Sequence, residues 1–100
     1  VIGSHPHVLQ PREIYKDKEI IYSLGNFCYG GSKNPENRTI IYQMNLTIDN
    51  NNTLVNENSE IIPCYVYTTK TNNYQPAPIE DESIKNKVLN FMDWKEDTPL

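Results

Sequence analysis

The sequence predicts an α+β fold, mostly antiparallel strands followed by one C-terminal helix. Two observations carry this prediction. β-Branched and aromatic residues gather in short runs separated by Asn, Gly and Pro as far as Pro78, and a 3.6-residue apolar period appears only once, near the C-terminal end. Length is the third observation. One hundred residues, 37% hydrophobic and 22% charged, suit one globular domain at most. A chain this short buries only about 60 to 65% of the surface its unfolded form exposes, so its core is thin.

Taken in order, residues 1–78 read as strands and loops, and residues 79–94 as the helical end. Val1 to Gly3 reads as the end of a buried strand, which His5-Pro6-His7 must leave because Pro6 has no N–H to give a ladder. Glu13 to Lys16 and Glu19 to Leu24 read as two strands around an Asp17-Lys18 turn. Gly25-Asn26 and Gly30-Gly31 read as turns, and Ser32 to Asn37, rich in loop formers, as a mobile loop. Thr39 to Ile48 is the clearest strand, with Met44, Leu46 and Ile48 alternating against Asn45 and Thr47. Asp49-Asn50-Asn51-Asn52 supplies a turn, since short amide and carboxylate side chains bond their own backbone and tolerate left-handed geometry. The return arm is either Thr53 to Asn56 or the longer Glu60 to Thr69, where Pro63 favours an edge position or a bulge. Asn72 to Pro78 is linker-like. From Asp81 to Trp94, Ile84, Val88, Phe91 and Met92 fall on one helical face, with acidic residues in the first turn, and that face is expected to pack on the sheet.

Thirteen acidic against nine basic residues give a net charge of −4, without the basic excess that phosphate-backbone binding demands, so nucleic acid is excluded as a partner. No apolar run approaches the roughly 18 to 20 residues of a membrane span. The chain begins at Val1 without an initiator Met or an apolar leader. It therefore reads as a fragment, a C-terminal one, with any anchor upstream. Cys28 and Cys64 form no C-x-x-C or Cys/His zinc pattern and read as two buried thiols. The alternative is a disulfide between adjacent strands, which needs an oxidising compartment. Asn37-Arg38-Thr39, Asn45-Leu46-Thr47 and Asn51-Asn52-Thr53 fit the glycosylation pattern, but a chain with 13 Asn produces such triplets readily.

Both histidines of the chain fall in one tripeptide, His5-Pro6-His7, just after an apolar strand end and Gly3. Pro6 fixes its own φ and biases His5 toward extended backbone, and a two-residue spacing in extended chain puts both imidazoles on one side. Neutral imidazole is the commonest metal ligand among side chains, which makes His5 and His7 candidate ligands. A hydrogen-bonded or solvated loop is the competing reading. Two histidines alone do not complete a site, because a catalytic zinc takes three protein ligands and a two-metal centre takes more. Asp17, Asp49 and Asp93 sit in turns or at a helix end, and no spacing marks one as a third ligand. Nucleophilic serine finds little support, since Ser4, Ser23 and Ser32 all lie outside any G-x-S-x-G elbow. Nothing near Cys28 in sequence would lower its pKa.

Val1-Ile2-Gly3-Ser4-His5-Pro6-His7-Val8-Leu9-Gln10, then Glu13-Ile14-Tyr15 and Ile21-Tyr22-Ser23-Leu24-Gly25-Asn26-Phe27, closely resemble the poly-γ-glutamate capsule biosynthesis (CapA-type) family. Ile61-Ile62-Pro63 and Gln75-Pro76-Ala77-Pro78 before an amphipathic helix resemble the way such chains end. The family is similar in fold to the calcineurin-like metallophosphoesterases, so the resemblance implies the C-terminal part of an αββα sandwich. It also implies that His5 and His7 stand where those phosphoesterases carry the H-x-H of their last metal-binding motif. Ser4 replaces the Gly that directly precedes the first His there, and Phe27 after Asn26 departs from their Gly-Asn-His-Glu segment. Asn26 and Gly25 match a family signature without a derivable chemical role.

On this resemblance the cofactors are divalent metal ions of manganese, zinc or iron type, completed by residues outside this chain. The chain by itself is expected to be inactive; a complete site would act as a metal-dependent hydrolase or transferase. Implied partners are the upstream part of the same protein and membrane-bound polymer synthase subunits, at an extracytoplasmic, cell-surface or membrane-associated location. Self-association through exposed sheet edges is also expected. Two alternatives stay open: a non-catalytic structural or polymer-handling subunit of a capsule synthase complex, and a plain extracellular binding module. Lys16, Lys18, Lys33, Lys70, Lys85 and Lys87 are scattered on an acidic chain, so the sequence does not support binding of a polyanionic polymer.

Overall fold

Two antiparallel hairpins and one helix make up the α+β architecture of the computed structural model, which describes residues 1–30 and 37–100. The loop expected over Ser32 to Asn37, Gly31 and the serine candidate Ser32 lie outside the described residues, Asn37 excepted. In the first hairpin, β1 (Leu9–Tyr15) pairs with β2 (Lys18–Leu24), with Tyr15 opposite Lys18. The turn is therefore Lys16-Asp17, one residue earlier than the Asp17-Lys18 expected. Both turn residues have positive φ, 48° and 61°. Two successive left-handed residues give the mirror-image turn whose twist matches that of the strands, and this geometry outweighs the absence of Gly.

Val1 to Gly3 is not a buried strand. Ile2 bridges Ile21 in parallel, the Gly3 N–H donates to the Ile21 carbonyl and the Leu24 N–H to that of Gly3, while Val1 and Ile2 remain 87% and 56% exposed. The backbone completes the free edge of β2, but the side chains find no core on that flank among the described residues.

The second sheet has the order β3-β4-β5, with β3 at Thr39–Ile48, β4 at Leu54–Tyr65 and β5 at Ala77–Pro78. The turn between β3 and β4 works as its composition predicts, with Asp49 Oδ1 accepting from the Asn51 and Thr53 N–H groups at 2.8 and 3.0 Å. The two return arms considered belong to one strand: β4 joins the first arm, from Leu54, to the first part of the second and ends at Tyr65, short of the expected Thr69, and the register irregularity falls at Thr47/Ile48 rather than at Pro63. Pro63 lies in the central strand, opposite Ile40, which corrects the edge expectation. β5 pairs only with Cys64 and Tyr65. On that flank the Ile79 N–H donates to the Pro63 carbonyl at 2.9 Å, and Pro63, lacking an N–H, returns no bond. The stretch from Asn72 to Pro78 is less linker-like than expected, because Ala77–Pro78 is the third strand.

The helix α1 spans Glu82–Met92, shorter at both ends than the period suggested. Asp81 caps it, its Oδ1 accepting from the Ser83 and Ile84 N–H groups at 2.9 and 3.1 Å, and Asp93 closes the other end. Val88, Phe91 and Met92 are buried with Leu9, Ile21, Ile40 and Ile79, so the predicted face does pack on both hairpins. Arg12 fastens this end, its guanidinium reaching Asp93 at 2.8 Å and Glu19 at 3.3 Å while its carbonyl accepts from the Trp94 indole at 2.7 Å. Both thiols are free. Cys64 is buried as expected, and burial pushes its pKa up, but Cys28 is exposed, which corrects half of the two-buried-thiols expectation.

Candidate metal site

Ser4, His5, Pro6 and His7 form a reverse turn, not the extended tripeptide the sequence suggested. The His5–Pro6 peptide is cis, and the His7 N–H donates to the Ser4 carbonyl at 2.9 Å, the pattern of a type VI turn. His7 itself is left-handed, with φ 73°. The imidazoles are nevertheless brought together: their ring centroids are 5.4 Å apart at 73°, edge to face, and both rings are exposed. A turn folds the two side chains onto each other where extended backbone would only align them.

The turn rests on a second stretch of sequence, Ser23-Leu24-Gly25-Asn26. The Ser4 carbonyl accepts a second hydrogen bond from the Ser23 hydroxyl at 3.2 Å, and that hydroxyl in turn accepts from the Gly25 N–H at 3.2 Å. Asn26 Oδ1 lies 3.1 Å from His7 Nδ1. The supporting groups are buried, with Ser23 and Thr39 fully enclosed and Asn26 only 4% exposed. Thr39 donates to the Leu24 carbonyl at 2.7 Å and ties this stretch to β3. Gly25 has φ +76°, and a Cβ there would stand 2.7 Å from the Arg38 carbonyl, so only glycine fits without displacement. A Cβ on Gly3 would come within 2.5 Å of the Tyr22 carbonyl.

Beside His7 opens a cleft of about 660 Å³, walled by Leu24, Phe27, Ile40 and Tyr42, with Asn26 at its polar side. The Tyr29 ring lies 5.6 Å from that of His7. Burial pushes the Tyr42 phenol up, the Ser59 hydroxyl opposing it, so this wall stays protonated and uncharged at neutral pH. The candidates the sequence left open separate here. His5, His7 and Asn26 converge, whereas Asp49 is committed to its turn and Asp93 to Arg12. Asp17 sits in the β1–β2 turn. Among the described residues no group of three His, Cys, Asp or Glu could hold a metal ion. The Ser23 hydroxyl is spent on backbone groups, which fits the weak serine reading. Tyr29 was missed, because ring contact across 22 residues leaves no mark on local periodicity.

Residues 1–30, which contain the Ser4–His7 turn and its Ser23–Asn26 support, match the family described as "Bacterial capsule synthesis protein PGA_cap". Beyond them, the "PGA biosynthesis protein CapA" of Bacillus subtilis (strain 168) is 31% identical over 89 residues, 89% of this chain and 21% of that protein. The chain belongs to the CapA-type family. The "Capsule biosynthesis protein CapA" of Bacillus anthracis is 29% identical over 90 residues, covering 88% of this chain and 19% of its own length. The chain thus spans about a fifth of the length of these CapA relatives. No solved structure matches it. Among the described residues of this CapA-type chain, no helix is long and apolar enough to cross a membrane.

Proposed function

We propose that His5 and His7 contribute part of a two-metal centre in a metallophosphatase-like protein of capsule, or poly-γ-glutamate, biosynthesis at the cell surface. The observation that carries this reading is the pairing of two exposed imidazoles, 5.4 Å apart, on a turn whose supports are buried. The donor set fits a divalent ion of manganese, zinc or iron type in kind but not in number, since two neutral imidazoles are short of the three or more ligands such ions take. The remaining ligands come from the upstream part of the same protein, to which membrane-bound synthase subunits are the further partners. Bound metal ions would supply an activated water and a clamp for a phosphoryl-like or tetrahedral oxyanion.

Of the second reading, a structural or polymer-handling subunit without hydrolysis, the cleft favours the structural form. Its walls of Leu24, Phe27 and Ile40 suit a packed segment better than a polyanion. Calorimetry decides between the two, with Mn²⁺ and Zn²⁺ titrated into the full-length protein carrying this chain and into its His5→Ala/His7→Ala variant. Metal-centre function predicts binding that the double variant loses by at least about 100-fold, as expected when ligands themselves are removed. Equal binding in both proteins would sink it and leave the subunit reading.

A further inference from the structure

We infer that Asn26 is a positioning residue for His7, its buried side-chain carbonyl holding the imidazole in the tautomer that carries hydrogen on Nδ1 and a free lone pair on Nε2. The inference deepens the proposed function and rests on it for the metal that Nε2 would meet. An amide oxygen only accepts hydrogen bonds, so at 3.1 Å from Asn26 Oδ1 the nitrogen Nδ1 must be the donor. A neutral imidazole has one N–H. Placing it on Nδ1 leaves Nε2 as the acceptor or ligand atom.

Asn26 is suited to this task because it cannot drift. It is 4% exposed, follows the left-handed Gly25, and belongs to the stretch whose Ser23 hydroxyl grips the same turn through the Ser4 carbonyl. The turn and the support are therefore held together twice, once through backbone at Ser4 and once through side chain at His7, across 19 residues of sequence. The rings of His5 and Tyr29 lie 5.4 and 5.6 Å from that of His7. Metal-bound histidines generally spend their other ring N–H on such an acceptor, and loss of that acceptor typically costs 10–100-fold in affinity. This gives the Gly25-Asn26 signature a chemical role that the sequence alone did not.

The test uses the full-length protein carrying this chain, with ¹⁵N-labelled imidazoles, read by long-range ¹H–¹⁵N correlation at pH 8, where an ordinary imidazole is neutral. His5→Gln and His7→Gln variants assign the two rings. Wild type should show His7 as the Nδ1–H form; Asn26→Ala should shift it toward the Nε2–H form, and Asn26→Asp, whose carboxylate accepts the same bond, should keep Nδ1–H. Nε2–H in wild type, or unchanged Nδ1–H in a folded Asn26→Ala, overturns the inference. Should Asn26→Ala fail to fold, wild type and Asn26→Asp decide: Nδ1–H in both supports it and Nε2–H in either overturns it. Zn²⁺ added to the wild-type sample separates the two ideas. A zinc-dependent shift at His7 Nε2 that weakens about 10-fold or more in Asn26→Ala supports both. The Nδ1–H form with no zinc response supports positioning and counts against the metal centre.

Discussion

The Ser4–His7 turn and the far end of the β3–β4 hairpin are both exposed, yet they are built on opposite principles. At the turn, polar rings in solvent stand on buried polar groups: Ser23, Asn26 and Thr39 are at most 4% exposed and bonded to backbone or to His7. Along the hairpin the exposed groups are apolar, with Met44, Leu46, Ile48, Leu54 and Val55 between 41% and 58% accessible. Burying polar groups costs free energy unless each finds a partner, so satisfied polar groups beneath an exposed surface mark a place the fold holds rigid. Apolar side chains on an exposed strand surface mark the reverse, a face that gains from being covered.

Three substitutions grade this difference. The largest effect is expected from Gly25→Ala, which combines a left-handed φ with a 2.7 Å approach to the Arg38 carbonyl and should cost about 1–3 kcal/mol in urea unfolding. A neutral outcome would mean that the support beneath the turn is soft. Thr39→Val removes one buried hydrogen bond, to the Leu24 carbonyl, without changing shape much, and the free energy of urea unfolding should fall by about 1 kcal/mol. Smallest is the double change Leu46→Ser with Ile48→Thr at the far end of the hairpin. Stability of the monomer should move by less than about 0.5 kcal/mol, while sedimentation velocity should show less self-association than wild type. A loss of stability comparable to that of Gly25→Ala would erase the distinction between the two regions.

Much of the architecture was legible because its signals are local. The Asp49 turn, the limits of β3 and the apolar face of α1 follow from side chains acting on their own backbone or on neighbours three and four residues away. The β1–β2 turn was misplaced by one residue, since register depends on which residues oppose each other across the strands. Pro63 was expected at an edge because the return of Ala77 to Ile79 alongside it, which makes β4 the central strand, is not a property of the residues around Pro63.

The candidate site divides in the same way. Sequence by itself determined that both imidazoles share one tripeptide, that Pro6 restricts it, and that the lysines are scattered on an acidic chain. Only the tertiary structure decided that the tripeptide turns back on itself and that Asn26 meets His7. It also left the alternating face of Met44, Leu46 and Ile48 exposed, although the pattern alone could not tell a covered face from an open one. The physical reason is range. A turn's backbone preference is written in adjacent residues, whereas a hydrogen bond across 19 residues exists only after two chain segments have paired on β2, and burial depends on what packs against a face rather than on the face itself.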